Sequence, residues 1–166
     1  MAAVTTLPAA FVSGNVLTAA QLNDLRGAFR VLQVVAVEYT TAASTTSLTY
    51  VTTGLNASIT PSSSSSKVLV MASGALQNSG SGTAVRVSLF RGTVAGTNLA
   101  TGSNVKGMGY AYPTSIGGFS CLALDSPATT SSQTYTLGFA TGNGTVTATI
   151  QPDTISSTMV LMEISA

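Results

Sequence analysis

Gln133-Thr-Tyr-Thr-Leu-Gly-Phe-Ala-Thr-Gly-Asn-Gly-Thr-Val-Thr-Ala-Thr-Ile150 is the stretch on which the fold turns. Tyr135, Leu137 and Phe139 alternate with small or polar residues, and Val146, Ala148 and Ile150 alternate with threonines. A period of two belongs to a strand with one buried face. Gly142-Asn143-Gly144, between the two runs, predicts a hairpin turn.

The same period recurs outward from this stretch. Val34 to Thr40 and Leu48 to Thr53 are β-branched and aromatic, and Leu55, Ala57 and Ile59 alternate with Asn56, Ser58 and Thr60. Pro61 and the run Ser62–Ser66 break the pattern, and the run reads as a loop between two strands. Lys67 to Leu76, Thr83 to Arg91, Phe119 to Leu124 and Thr158 to Ile164 resume it, and a glycine-rich middle (Gly92 to Gly109) carries short strands at most. Turn residues every 8–12 positions or so among about eight strands predict an all-β, jelly-roll-like antiparallel β-sandwich.

Upstream the pattern differs. Residues 1–17 hold Phe11, Val12, Val16 and Leu17 among small residues and read as an arm that orders against a partner. Thr18-Ala-Ala-Gln21 is a capping box, and Leu22, Leu25, Phe29, Leu32 and Ala36 follow at helical spacing. The expected organisation is an arm (1–17), a helix or trimer stem (18–37) and a β head (38–166). Gly27 and the short length leave the helix marginal alone, so it either docks on the domain or self-associates in a bundle.

Composition narrows the function. Apolar residues make up 45 % and charged residues 7 %, with a net charge of +1. Ser and Thr supply 48 of 166 positions, so hydroxyls rather than charges make the surface polar. That charge is too small to neutralise a run of phosphates, and nucleic acid is not an expected partner. With no His and one Cys, a Ser-His-Asp triad, a Cys-His pair, a His/Cys zinc site and an intrachain disulfide are all excluded within one chain. No cofactor or metal is expected. No apolar run reaches the ~18 residues of a membrane span, and the absence of a basic residue before Arg26 argues against a signal peptide.

Three strands are apolar on both faces: Val68-Leu-Val-Met71, Cys121-Leu-Ala-Leu124 and Met159-Val-Leu-Met162. Either a loop or the N-terminal helix covers them, or neighbouring copies of the chain do. The five acidic residues give little acid–base chemistry: Asp125 in Leu-Asp-Ser-Pro and Asp153 in Gln-Pro-Asp-Thr read as turn residues, and Glu163 is a lone charge in an apolar strand. An enzyme is not expected. Tyr110 and Tyr112 could stack on a sugar, or share one face of a strand.

Phe11-Val-Ser-Gly-Asn-Val-Leu-Thr-Ala-Ala-Gln-Leu-Asn23 resembles the N-terminal segment of many tailed-bacteriophage structural proteins, with Phe11 where Trp is common and Asn15 where Glu is common. Thr53-Gly-Leu-Asn-Ala-Ser-Ile-Thr-Pro-Ser62, Ser65-Ser-Lys-Val-Leu-Val70 and Leu161-Met-Glu-Ile164 resemble a β-domain of phage fibre and virion-surface proteins. The resemblance implies a homotrimeric jelly-roll head on an attachment segment. The chain would then be made in the host cytoplasm and carried on the virion surface, joined to other capsid or tail proteins through Phe11, Val12, Val16 and Leu17. Its stem would be built on Leu22, Leu25, Phe29 and Leu32. The alternative is a receptor-binding fibre tip that reads a host-surface glycan or protein, and Tyr110 and Tyr112 would be the contacts.

Overall fold

The computed structural model describes Gly14, Val16, Thr18, Ala19 and residues 31–80, 83–100, 109–111 and 115–165. The strands are β1 (Val31–Tyr39), β2 (Ala43–Thr45), β3 (Val51–Ile59), β4 (Lys67–Asn78), β5 (Val85–Arg91), β6 (Thr97–Asn98), β7 (Gly109–Ala111), β8 (Gly117–Asp125), β9 (Gln133–Thr141), β10 (Ala148–Ile150) and β11 (Ser157–Ile164). Every pairing is antiparallel.

Two sheets result. The first runs β1-β11-β4-β8, and the second runs β3-β9-β5-β7. This connectivity is that of a jelly roll, two Greek keys folded face to face. The short strands extend it: β10 follows β11 along one edge of β4, with β2 beyond it, and β6 shares an edge of β5 with β7.

The inward side chains are those singled out by the alternation. Leu55, Ala57 and Ile59 of β3, Val68, Val70 and Ala72 of β4, and Val85, Val87 and Leu89 of β5 are buried. Tyr135, Leu137 and Phe139 of β9 and Met159 and Leu161 of β11 close the same core. Each large apolar side chain so enclosed contributes about 1.5–3 kcal/mol.

Four expectations are corrected. Leu32 and Ala36 do not continue a helical seam, because they lie in β1. Val31, Val34, Val35 and Val37 are β-branched and β11 offers a long antiparallel partner, so the strand wins there and the sandwich begins at Val31 rather than at residue 38. The expected hairpin is a crossing: β9 belongs to the second sheet and β10 to the first. Gly142–Gly144, with Gly144 at φ 72, carries the chain between sheets, and the second run starts at Ala148 instead of Thr145. Alternation could not separate the two outcomes, since strands in opposite sheets face the same core. Asp125, read as a turn residue, ends β8 and takes side-chain partners. Apart from these corrections, β2, three residues of Ala-Ser-Thr, was not expected, since it carries no apolar signal to mark it as a strand.

Candidate functional site

The register of the first sheet sets the outward side chains in rows. Val34, Met162, Leu69 and Leu124 lie side by side on β1, β11, β4 and β8, and Ala36, Val160, Met71 and Leu122 form the next row. Both rows are apolar from edge to edge. Val34 is 55 % exposed, Leu124 56 % and Leu122 63 %, and Leu32 extends the patch along β1. A polar row of Glu38, Thr158, Ser73 and Ser120 bounds it at one end, and Lys67 lies at the other. A contiguous apolar face rimmed by polar residues marks an interaction surface.

The second sheet differs. Its outer face carries Thr52, Asn56 and Ser58 on β3, Thr134, Thr136 and Ala140 on β9, and Arg86, Ser88 and Phe90 on β5, and of these Thr136, Ala140, Ser88 and Phe90 are buried. These hydroxyls bond locally: Ser58 Oγ lies 2.8 Å from Thr134 Oγ1, Thr136 Oγ1 donates to the Gly92 carbonyl at 2.7 Å, and Ser88 Oγ donates to Asn98 Oδ1 at 2.7 Å. A groove of about 530 Å³ runs over this face, lined by Thr52, Asn56, Gly92, Thr93, Val94, Thr134 and Thr136. Beside it Tyr50 meets Phe90 edge-on at 5.3 Å, and the Arg86 guanidinium lies 6.0 Å from the Tyr50 ring centre.

Two of the acidic residues are committed to holding elements together. Arg91 Nη1 donates to both oxygens of Asp125, at 3.0 and 3.1 Å, and the Tyr135 hydroxyl donates to Asp125 Oδ2 at 2.8 Å. Burial first, and then the Asp125 carboxylate beside it, push the Tyr135 hydroxyl far above its ordinary range. Glu163 is fully buried; Oε2 accepts from Gln33 Nε2 at 2.6 Å, and Oε1 accepts from the Ser62 N–H and Oγ, each at 2.7 Å. Burial alone would raise that carboxyl, but the bonds from Ser62 and Gln33 outweigh it and hold it at about 2. Burial also pushes the Cys121 thiol up to about 12, so it behaves as core packing and not as a nucleophile. Sequence reading missed Gln33 and Ser62, since nothing in a Gln on a strand or a Ser in a serine run announces a carboxylate partner.

Of the expected attachment residues, Val16 is described and is 89 % exposed, while Phe11, Val12 and Leu17 lie outside the described residues. Of the stem, Leu22, Leu25 and Phe29 also lie outside them, and Leu32 is on the apolar face. Tyr110 falls in β7 opposite Arg86, and Tyr112 is outside the described residues.

No family model matches the chain, and no curated protein matches its sequence. Among solved structures, the VP2 subviral particle of infectious bursal disease virus is similar at 10 % identity and a TM-score of 0.45, over 80 % of this chain and 39 % of that one. T=1 particles derived from the same virus give 10 % identity and a TM-score of 0.46, over 81 % and 36 %. A Bacillus endospore appendage, from a family of disulfide-linked pili, gives 16 % identity and a TM-score of 0.32, over 81 % and 92 %. The chain thus spans about two fifths or less of the virus proteins it resembles. Likeness at this level assigns neither a family nor an activity.

Proposed function

We propose that this chain is a non-enzymatic structural subunit of a tailed-phage virion surface, assembled as a homotrimer and anchored through its N-terminal segment. The observation that carries the reading is the exposed apolar outer face of the β1-β11-β4-β8 sheet. A subunit built to stay alone would alternate on its first sheet between an apolar inner face and a polar outer one. The resemblance of Phe11–Asn23 to phage attachment segments supplies the setting. The engagement of Asp125 by Arg91 and Tyr135, and of Glu163 by Ser62 and Gln33, supports a structural role for both carboxylates. Light scattering on the purified chain is expected to give three times the 16.6 kDa chain mass. A monomer at micromolar concentration overturns the reading.

A second reading, a fibre tip that binds a host glycan, is favoured by the groove over the second sheet. Its threonines and Asn56 offer an uncharged hydrogen-bonding wall of the kind a neutral sugar takes. Chemical-shift changes at Thr52, Asn56 and Thr134 on adding host-surface oligosaccharide would support it; a flat titration to millimolar sugar would remove it.

A further inference from the structure

We infer that Asn143, in the turn that carries the chain from β9 to β10, is a site of spontaneous modification. In the folded protein its side-chain amide is lost through a cyclic imide formed with the Gly144 nitrogen, leaving isoaspartate and aspartate.

The chemistry asks three things of the turn. The peptide nitrogen after the asparagine must be free to attack, the side chain must curl back over it, and water must reach both. Asn143 is exposed, and because Gly144 follows it no side chain shields that nitrogen. Among the described residues no acceptor takes the Gly144 N–H. Asn143 Oδ1 accepts the Thr145 N–H at 3.0 Å. That bond closes a ring around Gly144 and turns the side chain back toward the Gly144 nitrogen. It also draws electron density from Cγ, and it is aimed at the oxygen on which negative charge develops as the nitrogen attacks.

Each of the other described asparagines lacks part of this arrangement. Asn98 makes the same local bond, its Oδ1 accepting the Ala100 N–H at 2.9 Å, but the nitrogen that would attack belongs to Leu99 and donates to the Leu89 carbonyl at 2.9 Å. Asn78 is buried, and its Nδ2 donates to the Thr83 carbonyl at 2.7 Å. The Ser79 N–H that follows it donates to the Thr147 carbonyl at 2.9 Å. Asn56 lies within β3, its Nδ2 donates to the Gly54 carbonyl at 3.1 Å, and Ala57 after it is packed in the core.

The steps balance with water alone. Hydroxide takes the proton of the Gly144 N–H, the nitrogen adds to Cγ, and the bond from Cγ to Nδ2 breaks as ammonia leaves. Water then opens the imide. Opening at Cγ leaves aspartate, and opening at the main-chain carbonyl of Asn143 leaves isoaspartate, whose backbone runs through one extra methylene. Either product adds a carboxylate that cancels the chain's net charge of +1, and chains near zero net charge associate more readily.

The test incubates the folded, full-length chain in mildly alkaline buffer and follows the chymotryptic peptide Ala140–Met159, in which Asn143 is the sole asparagine. Progressive loss of the amide there is expected, faster as pH rises, with part of the product refusing cleavage before aspartate. The aged chain should focus below the isoelectric point of about 7.9, while the peptides that hold Asn78 and Asn98 keep their amides. Asn143→Asp retains an acceptor for Thr145 and should focus with the aged chain from the start. Asn143→Gln, whose longer side chain would have to close a larger ring, should hold its original position. Retention of the Asn143 amide in the folded chain, under conditions that remove it from the chain in urea, would show that the turn protects the site and overturn the inference. Loss at Asn78 or Asn98 as fast as at Asn143 would overturn it too, since the local geometry would then select nothing.

Discussion

Glu163 is a charge in the last strand that the alternation marks as out of place, and its surroundings explain why it is tolerated. Its two oxygens face only donors: Gln33 from β1 on one side, and Ser62 from the loop between β3 and β4 on the other. Glu163→Gln would turn an amide NH₂ toward one of those donors whichever way it is flipped. Leaving a buried donor unpaired costs about 1–3 kcal/mol, so a fall of several degrees in Tm is expected by calorimetry. The sign with pH follows from the depressed carboxyl. Folded, it titrates at about 2, against 4.5 for the free group. The stabilisation is therefore complete above that higher value and is lost as pH falls from 4.5 toward 2. Urea midpoints should drop over that window in the unsubstituted chain and drop less in Glu163→Gln; equal slopes would contradict the assignment. Gln151 is the reverse case. It is fully buried at φ 52, and among the described residues neither its amide nitrogen nor its amide oxygen has a partner. Gln151→Met keeps the volume and removes both polar atoms, so a gain of about 1 kcal/mol is expected, read as a higher urea midpoint.

At the scale of the element, the strands were legible because alternation is a local property, and the pairings were not because partners lie far apart in sequence. Tyr135, Leu137 and Phe139 identify β9 unaided, yet nothing in them says that β3 and β5 are its neighbours. The glycine turn after β9 was visible, but its direction was not. The apolar face was half-legible: Leu122, Leu124, Val160 and Met162 stood out as apolar on the wrong side, while only the register shows that they fall in common rows with Val34 and Ala36. The bulge in β3 left a fainter trace. Between Thr52 and Asn56 the pairing with β9 shifts, and Gly54 there has φ +87 with its α-carbon against the Tyr39 ring. A β-carbon would lie 2.5 Å from that ring, so Gly54→Ala combines backbone strain with a clash across the sandwich edge. Destabilisation by about 2–4 kcal/mol is expected, and Tyr39→Ala in the same chain should recover part of it, since only the steric half of the penalty depends on the ring. A double variant no more stable than the sum of the singles predicts would place the whole cost in the backbone.

For the whole molecule, the proposed function gives assembly to the apolar face of the first sheet and attachment to the N-terminal arm. Val16 is almost fully exposed, and the sequence sets Phe11, Val12 and Leu17 beside it among small residues. Burying two or three such side chains on a partner is worth about 1.5–3 kcal/mol each, which is weak for one contact. Three arms on the proposed trimer would change the balance, because after the first had docked the others would bind at high effective concentration. Attachment should therefore depend on the arm, and head stability should not. Deleting residues 1–17 is expected to leave a soluble trimer with an unchanged Tm that no longer joins the particle. Phe11→Ala should weaken incorporation without moving the Tm. Trimer mass and incorporation are separate readouts. Normal incorporation of the truncated chain would mean that particles hold the subunit by its head, and a truncated chain that fails to fold would mean that the arm belongs to the core.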